Sequence, residues 1–252
     1  MEPSDLILAK KLARKSEDPD QLAAKICAIR EVAEETGILL GQSASSALPA
    51  HDRSNITFTD ENMRAAIDLL LPLSQWISPE YIAASPQGGY ETNFFVAVLD
   101  AIPPGHPAPD GEEVTDILWM SPVEAAASAE DARFPMPQLY MIGELSACHR
   151  RRMLTTFVRN LNRGLFRYPF KAFRLEPAGE KCVFVLPGDH QHPIFRTVKD
   201  ELFEHRGIFD GCDFRASKWS LSRHPDLFQI ALEAGKQNRE WCRNVSESNS
   251  KL

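Results

Sequence analysis

Between Asp18 and Gly37 the sequence carries a helix signal whose two faces make opposite demands on their surroundings. Asp18-Pro19-Asp20-Gln21 reads as its start: a capping Asp, Pro at the first helical position, and Gln three residues after the cap. Gly37 reads as the C-terminal glycine that ends it. Leu22, Ile26, Ile29 and Ala33 form an apolar stripe that is expected to fix the helix to a sheet. Glu31, Glu34 and Glu35 stand at i, i+3 and i+4, so their carboxylates project from one face. Three like charges there repel one another. A hard divalent cation such as Mg²⁺ or Mn²⁺, which prefers carboxylate and water oxygens, would neutralise them. The plain alternative is an exposed helix with Glu on its wet side.

With 252 residues, 43% of them hydrophobic, the chain can bury a full-sized core, as one domain with an extension or as two small domains. The net charge of −7, from 35 acidic and 28 basic residues, gives no global attraction to nucleic acid or anionic membrane. The basic run His149-Arg150-Arg151-Arg152, continued by Arg159, Arg163 and Arg167, reads as a solvated helix face. Apolar runs such as Val183 to Leu186 and Phe94 to Leu99 fall far short of the roughly 20 residues that cross a bilayer, so no membrane insertion is expected. Five scattered cysteines (Cys27, Cys148, Cys182, Cys212, Cys242) lack the CxxC spacing of a zinc or redox site and fit a reduced, intracellular protein. In that setting the Asn55-Ile-Thr57 and Asn244-Val-Ser246 sequons are chance matches.

Along the chain, a first helix is predicted from Asp5 to about Lys15 with Ser4 as its cap. A Ser/Ala/Pro-rich loop runs from Gly41 to Asp60, and a helix from Asp60 to Leu71 is stopped by Pro72. Strands are predicted at Gln75 to Ile77, Asn93 to Leu99 and Thr115 to Met120, then a short helix from Pro122. Residues 135–165 are mostly helical, Val183 to Leu186 is a strand, and Pro187-Gly188-Asp189 is a turn. Residues 194–243 mix helical and loop signals without an assignable motif. Trp76, Tyr90, Phe94, Phe95 and Trp119 read as core residues, with stacking on an adenine as the minor reading. His190 and His192 lack a third ligand nearby and are not read as a metal pair.

Arg30-Glu31-Val32-Ala33-Glu34-Glu35-Thr36-Gly37-Ile38 resembles the R-E-U-x-E-E-x-G-U half of the box that defines the Nudix hydrolase superfamily, U being a bulky aliphatic residue. The five fixed positions would match by chance on the order of twice in ten thousand chains of this length, so the signal is specific. The first half of the box is absent, since the pattern asks for Gly at Ser16 and Glu at Leu22. Lys25-Ile-Cys-Ala-Ile-Arg-Glu31 is similar to the peroxisomal coenzyme A diphosphatase branch, whose box is interrupted by an insertion. The likeness continues at Trp76-Ile-Ser-Pro79, Tyr90-Glu-Thr-Asn-Phe-Phe95, Trp119-Met-Ser-Pro122, Pro137-Gln-Leu-Tyr140 and Leu186-Pro-Gly-Asp189.

The resemblance implies an α+β fold, a Nudix-like α/β/α sandwich with a mixed sheet. Residues 1–150 would form that domain, residues 151–243 a C-terminal α/β extension, and residues 244–252 a disordered tail. Such proteins place strands and a Gly-Gly turn ahead of the box, where only about twenty residues stand here, so the sheet is expected to be incomplete at the N-terminus. The implied reaction is metal-dependent hydrolysis of coenzyme A or acyl-CoA to adenosine 3′,5′-bisphosphate and (acyl-)phosphopantetheine. Glu31, Glu34 and Glu35 would hold Mg²⁺ or Mn²⁺, and Glu31 is the candidate to orient or deprotonate water. Arg30 would brace the carboxylates by bidentate hydrogen bonding. Glu113 is the candidate additional acid, with Glu112 as its substitute and turn solvation as the plain reading. The terminal Ser250-Lys251-Leu252 matches the address read by the peroxisomal import receptor. The alternatives are a peroxisomal NADH or nucleotide diphosphatase, or a truncated Nudix remnant that binds without catalysis.

Overall fold

The computed structural model describes residues 2–41, 56–77, 91–101, 107–111, 113–128, 134–146, 148, 151–163, 170–171, 173–174, 181–186, 189, 191–192, 205–210 and 218–221. Tyr90, Glu112, Pro187, Gly188, His190 and Ser250-Lys251-Leu252 lie outside these residues. Two compact units are formed, Met1–Pro72 with Phe95–Trp119, and Leu73–Phe94 with Met120–Leu252.

In the first unit α1 spans Pro3–Leu12 and begins two residues before the expected Asp5. The expected cap, Ser4, instead donates its hydroxyl to Glu2 Oε2 at 3.1 Å. Pro3 presets the first turn, and the Asp5 carboxylate takes the Glu2 N–H at 2.8 Å. α2 spans Pro19–Thr36, with Asp18 accepting from the Asp20 N–H at 3.0 Å. At its end Gly37 adopts φ 74° and donates its N–H to the Ala33 carbonyl, the left-handed stop that glycine permits without strain. Gly41 also needs to be glycine: at φ 81° its α-carbon passes so close to α3 (Asp60–Leu69) that a Cβ would strike the Asn62 carbonyl and the Ala66 nitrogen.

α3 is capped by Thr59, whose hydroxyl accepts from the Asn62 N–H at 3.2 Å. The chain enters β1 (Leu70–Ile77) directly at Leu70, two residues before the proline taken as the helix stop. Pro72 is exposed in the strand, and its restriction of the preceding residue to extended geometry explains the early helix end. Ala9, Leu22, Ala23, Ile26, Ile29, Leu40, Met63, Ala66, Ile67 and Leu70 form one buried cluster, against which Phe95, Ala97 and Leu99 pack. Each fully buried Ile or Leu there contributes about 1.5–3 kcal/mol. The stripe on α2 is thus buried, but mainly against the helices α1 and α3 rather than against a sheet as expected.

The second unit takes in β1 from Leu73 and β2 (Glu91–Ala97) up to Phe94; β1 lies between β2 and β3 (Phe170–Lys171), and β1 and β3 run parallel with Trp76 opposite Phe170. Trp76 is buried, stacks on Phe170 at 4.9 Å between centroids, and meets Tyr140 edge-on at 5.6 Å. Its indole N–H donates to Ser74 Oγ at 3.1 Å. Trp76 is therefore core, as expected, with its polar handle satisfied. The helices here are α4 (Pro122–Ala127), α5 (Met136–Ser146) and α6 (Arg151–Arg163). α4 starts with a capping box in which Ser121 and Glu124 serve each other's backbone N–H groups, at 2.7 and 3.3 Å. Arg152, Arg159 and Arg163 are exposed on α6, a solvated face as read.

A second, antiparallel sheet has the order β4 (Phe173–Arg174), β5 (Lys181–Val185), β6 (His205–Asp210), β7 (Lys218–Leu221). β6 and β7 occupy the stretch where no motif was assigned. Asp189 is fully buried and takes both Nε and Nη2 of Arg206 at 2.8 Å, which ties the turn after β5 to β6. His192 is buried beside it, its N–H donated to the Asp189 carbonyl and its Nε2 3.4 Å from the Lys171 carbonyl oxygen. The chain is α+β. No helix among the described residues is long and apolar enough to cross a membrane.

One predicted strand does not form. Residues 115–120 run without strand pairing, and Leu118, Trp119 and Met120 are exposed by 68%, 56% and 40%, so Trp119 is not a core residue. Asp110 takes the N–H groups of Glu113 and Val114, and Asp116 takes that of Ile117, which offers the backbone a local alternative to a ladder.

Candidate functional site

The second half of α2 carries Arg30, Glu31, Glu34 and Glu35 on its polar side, because Ile26, Ile29 and Ala33 are committed to the core. Arg30 reaches Glu31 Oε1 through Nη2 at 2.7 Å and Glu34 Oε2 through Nη1 at 2.8 Å. Its two ends thus brace two carboxylates that would otherwise repel. Lys offers only a point charge and could not span both. Burial opposes the guanidinium's charge, but bonding to Glu34 and the fields of Glu31, Glu34 and Asp5 outweigh it and raise its pKa. Cys27 lies one turn earlier, its Sγ 3.9 Å from Arg30 Nη2 and 4.0 Å from Glu31 Oε1.

Glu35 has a different environment. Burial, followed by the charges of Glu31, Glu113, Asp110 and Glu34, pushes its carboxyl pKa upward. Segments far apart in sequence therefore share one negative field. The segment from Asp110 is shaped by a tight turn: Gly111 adopts φ 84° and donates to the Val114 carbonyl at 3.0 Å, while Asp110 Oδ1 receives Glu113 N–H at 3.1 Å and Val114 N–H at 2.9 Å. Glu113, a candidate from sequence, is brought into the field of Glu35 by this turn. Asp110 was not a candidate; the Asp-Gly pair marked the turn but not where it would lie.

The donor set, all carboxylates with an excess of negative charge, suits a hard divalent cation in chemistry. Among the described residues, however, no three acidic, His or Cys side chains converge closely enough to enclose an ion in this conformation. Arg30 holds one oxygen each of Glu31 and Glu34. The His192 region gives no metal cluster among the described residues either.

A family model described as the NUDT19 Nudix domain matches residues 3–145. The protein called acyl-coenzyme A diphosphatase NUDT19 in Gallus gallus is 29% identical over 159 residues, covering 50% of this chain and 41% of its own length. Its namesake in Xenopus laevis is 26% identical over 206 residues, 69% of this chain and 52% of the relative. The Homo sapiens protein of that name is 27% identical over 154 residues, 51% of this chain and 40% of the relative. This chain thus spans about half the length of the curated relatives it matches. No solved structure matches it significantly. Nudix hydrolases as a group work with divalent cations, in keeping with the acidic face of α2. The family match takes in α1, α2 and the 110–114 turn and runs over more than half of the 252 residues, so the chain belongs to the Nudix family, in the group defined by the NUDT19 Nudix domain.

Proposed function

We propose that this protein hydrolyses the diphosphate of coenzyme A or acyl-CoA, releasing adenosine 3′,5′-bisphosphate and (acyl-)phosphopantetheine, with Mg²⁺ or Mn²⁺ held by Glu31, Glu34 and Glu35. The observation that carries the reading is Arg30 bracing Glu31 and Glu34 on one face of α2. The upward pKa shift of the neighbouring Glu35, from burial and then the charges of Glu31, Glu113, Asp110 and Glu34, is in keeping with it. The names of the three relatives support the substrate class.

When bound, a divalent cation supplies positive charge to the diphosphate oxygens and makes water a better nucleophile. The protein's own groups do the rest. Water attacks one phosphorus; the bond from that phosphorus to the bridging oxygen breaks, and the bridging oxygen leaves on the other phosphate. Glu31 orients the water and accepts its proton, and Glu113 supplies an additional carboxylate. Arg30 holds one oxygen each of Glu31 and Glu34 and so restricts how far the two carboxylates can move apart.

Incubation of the purified chain with Mg²⁺ or Mn²⁺ and a panel of CoA, acyl-CoA and NADH tests the reading. Release of (acyl-)phosphopantetheine from the CoA substrates is expected, with little AMP and reduced nicotinamide mononucleotide from NADH. Preference for NADH would transfer the activity to a nucleotide diphosphatase, and the absence of any product would favour a non-catalytic binding role. Peroxisomal residence belongs to the same proposal and is supported by Ser250-Lys251-Leu252. Deleting Leu252 is expected to leave a tagged protein in the cytosol; unchanged import would refute the tail's role.

A further inference from the structure

We propose that Asp5, on the N-terminal helix, is a positioning residue for Arg30: it holds the guanidinium from behind so that the two Nη atoms reach Glu31 and Glu34. Asp5 is only 3% exposed although it is a carboxylate. Its Oδ2 accepts the Glu2 N–H at 2.8 Å, and its Oδ1 stands 3.7 Å from Arg30 Nε. That Nε is itself buried and has no hydrogen-bond partner, so the Asp5 oxygen is the negative group that compensates it. A buried guanidinium edge without such compensation would carry a desolvation cost.

The geometry assigns different tasks to the three nitrogens. Nη1 and Nη2 face the carboxylates on the exposed side of α2, whereas Nε faces inward toward α1. Rotation about the long side chain would otherwise let Arg30 follow either glutamate alone. With Nε drawn toward a fixed carboxylate, the fork is oriented and both glutamates are addressed together. α1 thereby acts as an outer support for a site carried on α2, in the way that groups behind metal ligands set their orientation. Asp5 is held in turn by its place in the first turn of α1, where Pro3 and the Glu2 N–H fix the helix start.

Only the metal-affinity arm of the test rests on the metal-site reading above. Asp5→Asn keeps the shape and an oxygen able to accept the Glu2 N–H, so α1 should still form; Asp5→Ala removes both. The direct readout is the ¹⁵Nε–¹Hε resonance of Arg30, assigned by its loss in Arg30→Lys. In Asp5→Asn at unchanged melting temperature, the Arg30 Hε should exchange with solvent at least several-fold faster than in wild type. Mn²⁺ affinity, measured by titration without substrate, should fall about tenfold. An Arg30 Hε that exchanges as in wild type in both variants would overturn the proposal. So would wild-type Mn²⁺ affinity in Asp5→Asn. If wild type itself takes up no Mn²⁺, the metal reading fails, and the Arg30 resonance alone decides the role of Asp5.

Discussion

Arg30 and Arg206 both hold carboxylate oxygens at 2.7–2.8 Å, yet they do opposite things with the contact. Arg206 meets Asp189, which is fully buried, with two nitrogens on two oxygens. The contact is bidentate. Arg30 is a quarter exposed and faces Glu31 and Glu34, which are 44% and 45% exposed, with Glu35 beside them and Asp5 behind. Among the described residues, Arg30 thus faces two half-exposed carboxylates on one side and a buried one on the other. The first arrangement holds a fold together; the second gathers several carboxylates about one helix face, two of them half exposed. Acidic excess on a rigid, solvent-facing helix is the feature expected of a cation-dependent site.

The largest effect is expected at the buried pair. Replacing Asp189 by Ala removes the buried carboxylate that two Arg206 nitrogens hold, so the unfolding free energy should fall by about 3–5 kcal/mol. Urea denaturation measures this; a loss below about 1 kcal/mol would show that the pair is dispensable. Arg30→Lys should act in the other way. Folding should change by less than about 1 kcal/mol, since the pairs are half exposed and screened. Mn²⁺ affinity should nevertheless fall about tenfold or more, because an ammonium cannot brace two carboxylates at once.

A third ion-pair group sharpens the contrast at the small end. Glu17 is held by Arg64 at 2.7 Å and at a second short contact, and by the Arg14 N–H at 2.9 Å. These bonds, Arg64's first, lower its carboxyl pKa from 4.5 to about 2, against a smaller opposing effect of desolvation. A carboxyl depressed in the folded state adds stability above its unfolded pKa and loses it as pH falls through the folded value. Stability from this group should therefore decline from about pH 4.5 to 2, and Glu17→Gln should flatten that part of the acid-unfolding curve. An unchanged curve would mean that the network carries no acid sensitivity.

Much of α2 was legible in the sequence, since its cap, its stop and its apolar stripe are local signals and the structure reproduces all three. The Arg30 to Glu34 contact was legible for the same reason, being one helical turn apart. Asp5 behind Arg30 and Asp110 beside Glu35 were not, because both depend on how separate segments pack. The Asp189–Arg206 pair spans 17 residues and a strand pairing that no periodicity announces. Residues 115–120 were misread as a strand because their β-rich composition outweighed two Asp side chains that capture backbone N–H groups. Composition signals the propensity to pair; it does not supply the partner strand.

The central claim is that the acidic face of α2 is a cation-dependent hydrolytic site, and Glu34→Gln tests it most directly. The substitution keeps size and removes one charge from the brace. With Mn²⁺ and acyl-CoA, the variant should release acyl-phosphopantetheine at least about 100-fold more slowly than wild type, at an unchanged melting temperature. Equal rates for the two proteins, whether both high or both at background, would contradict it.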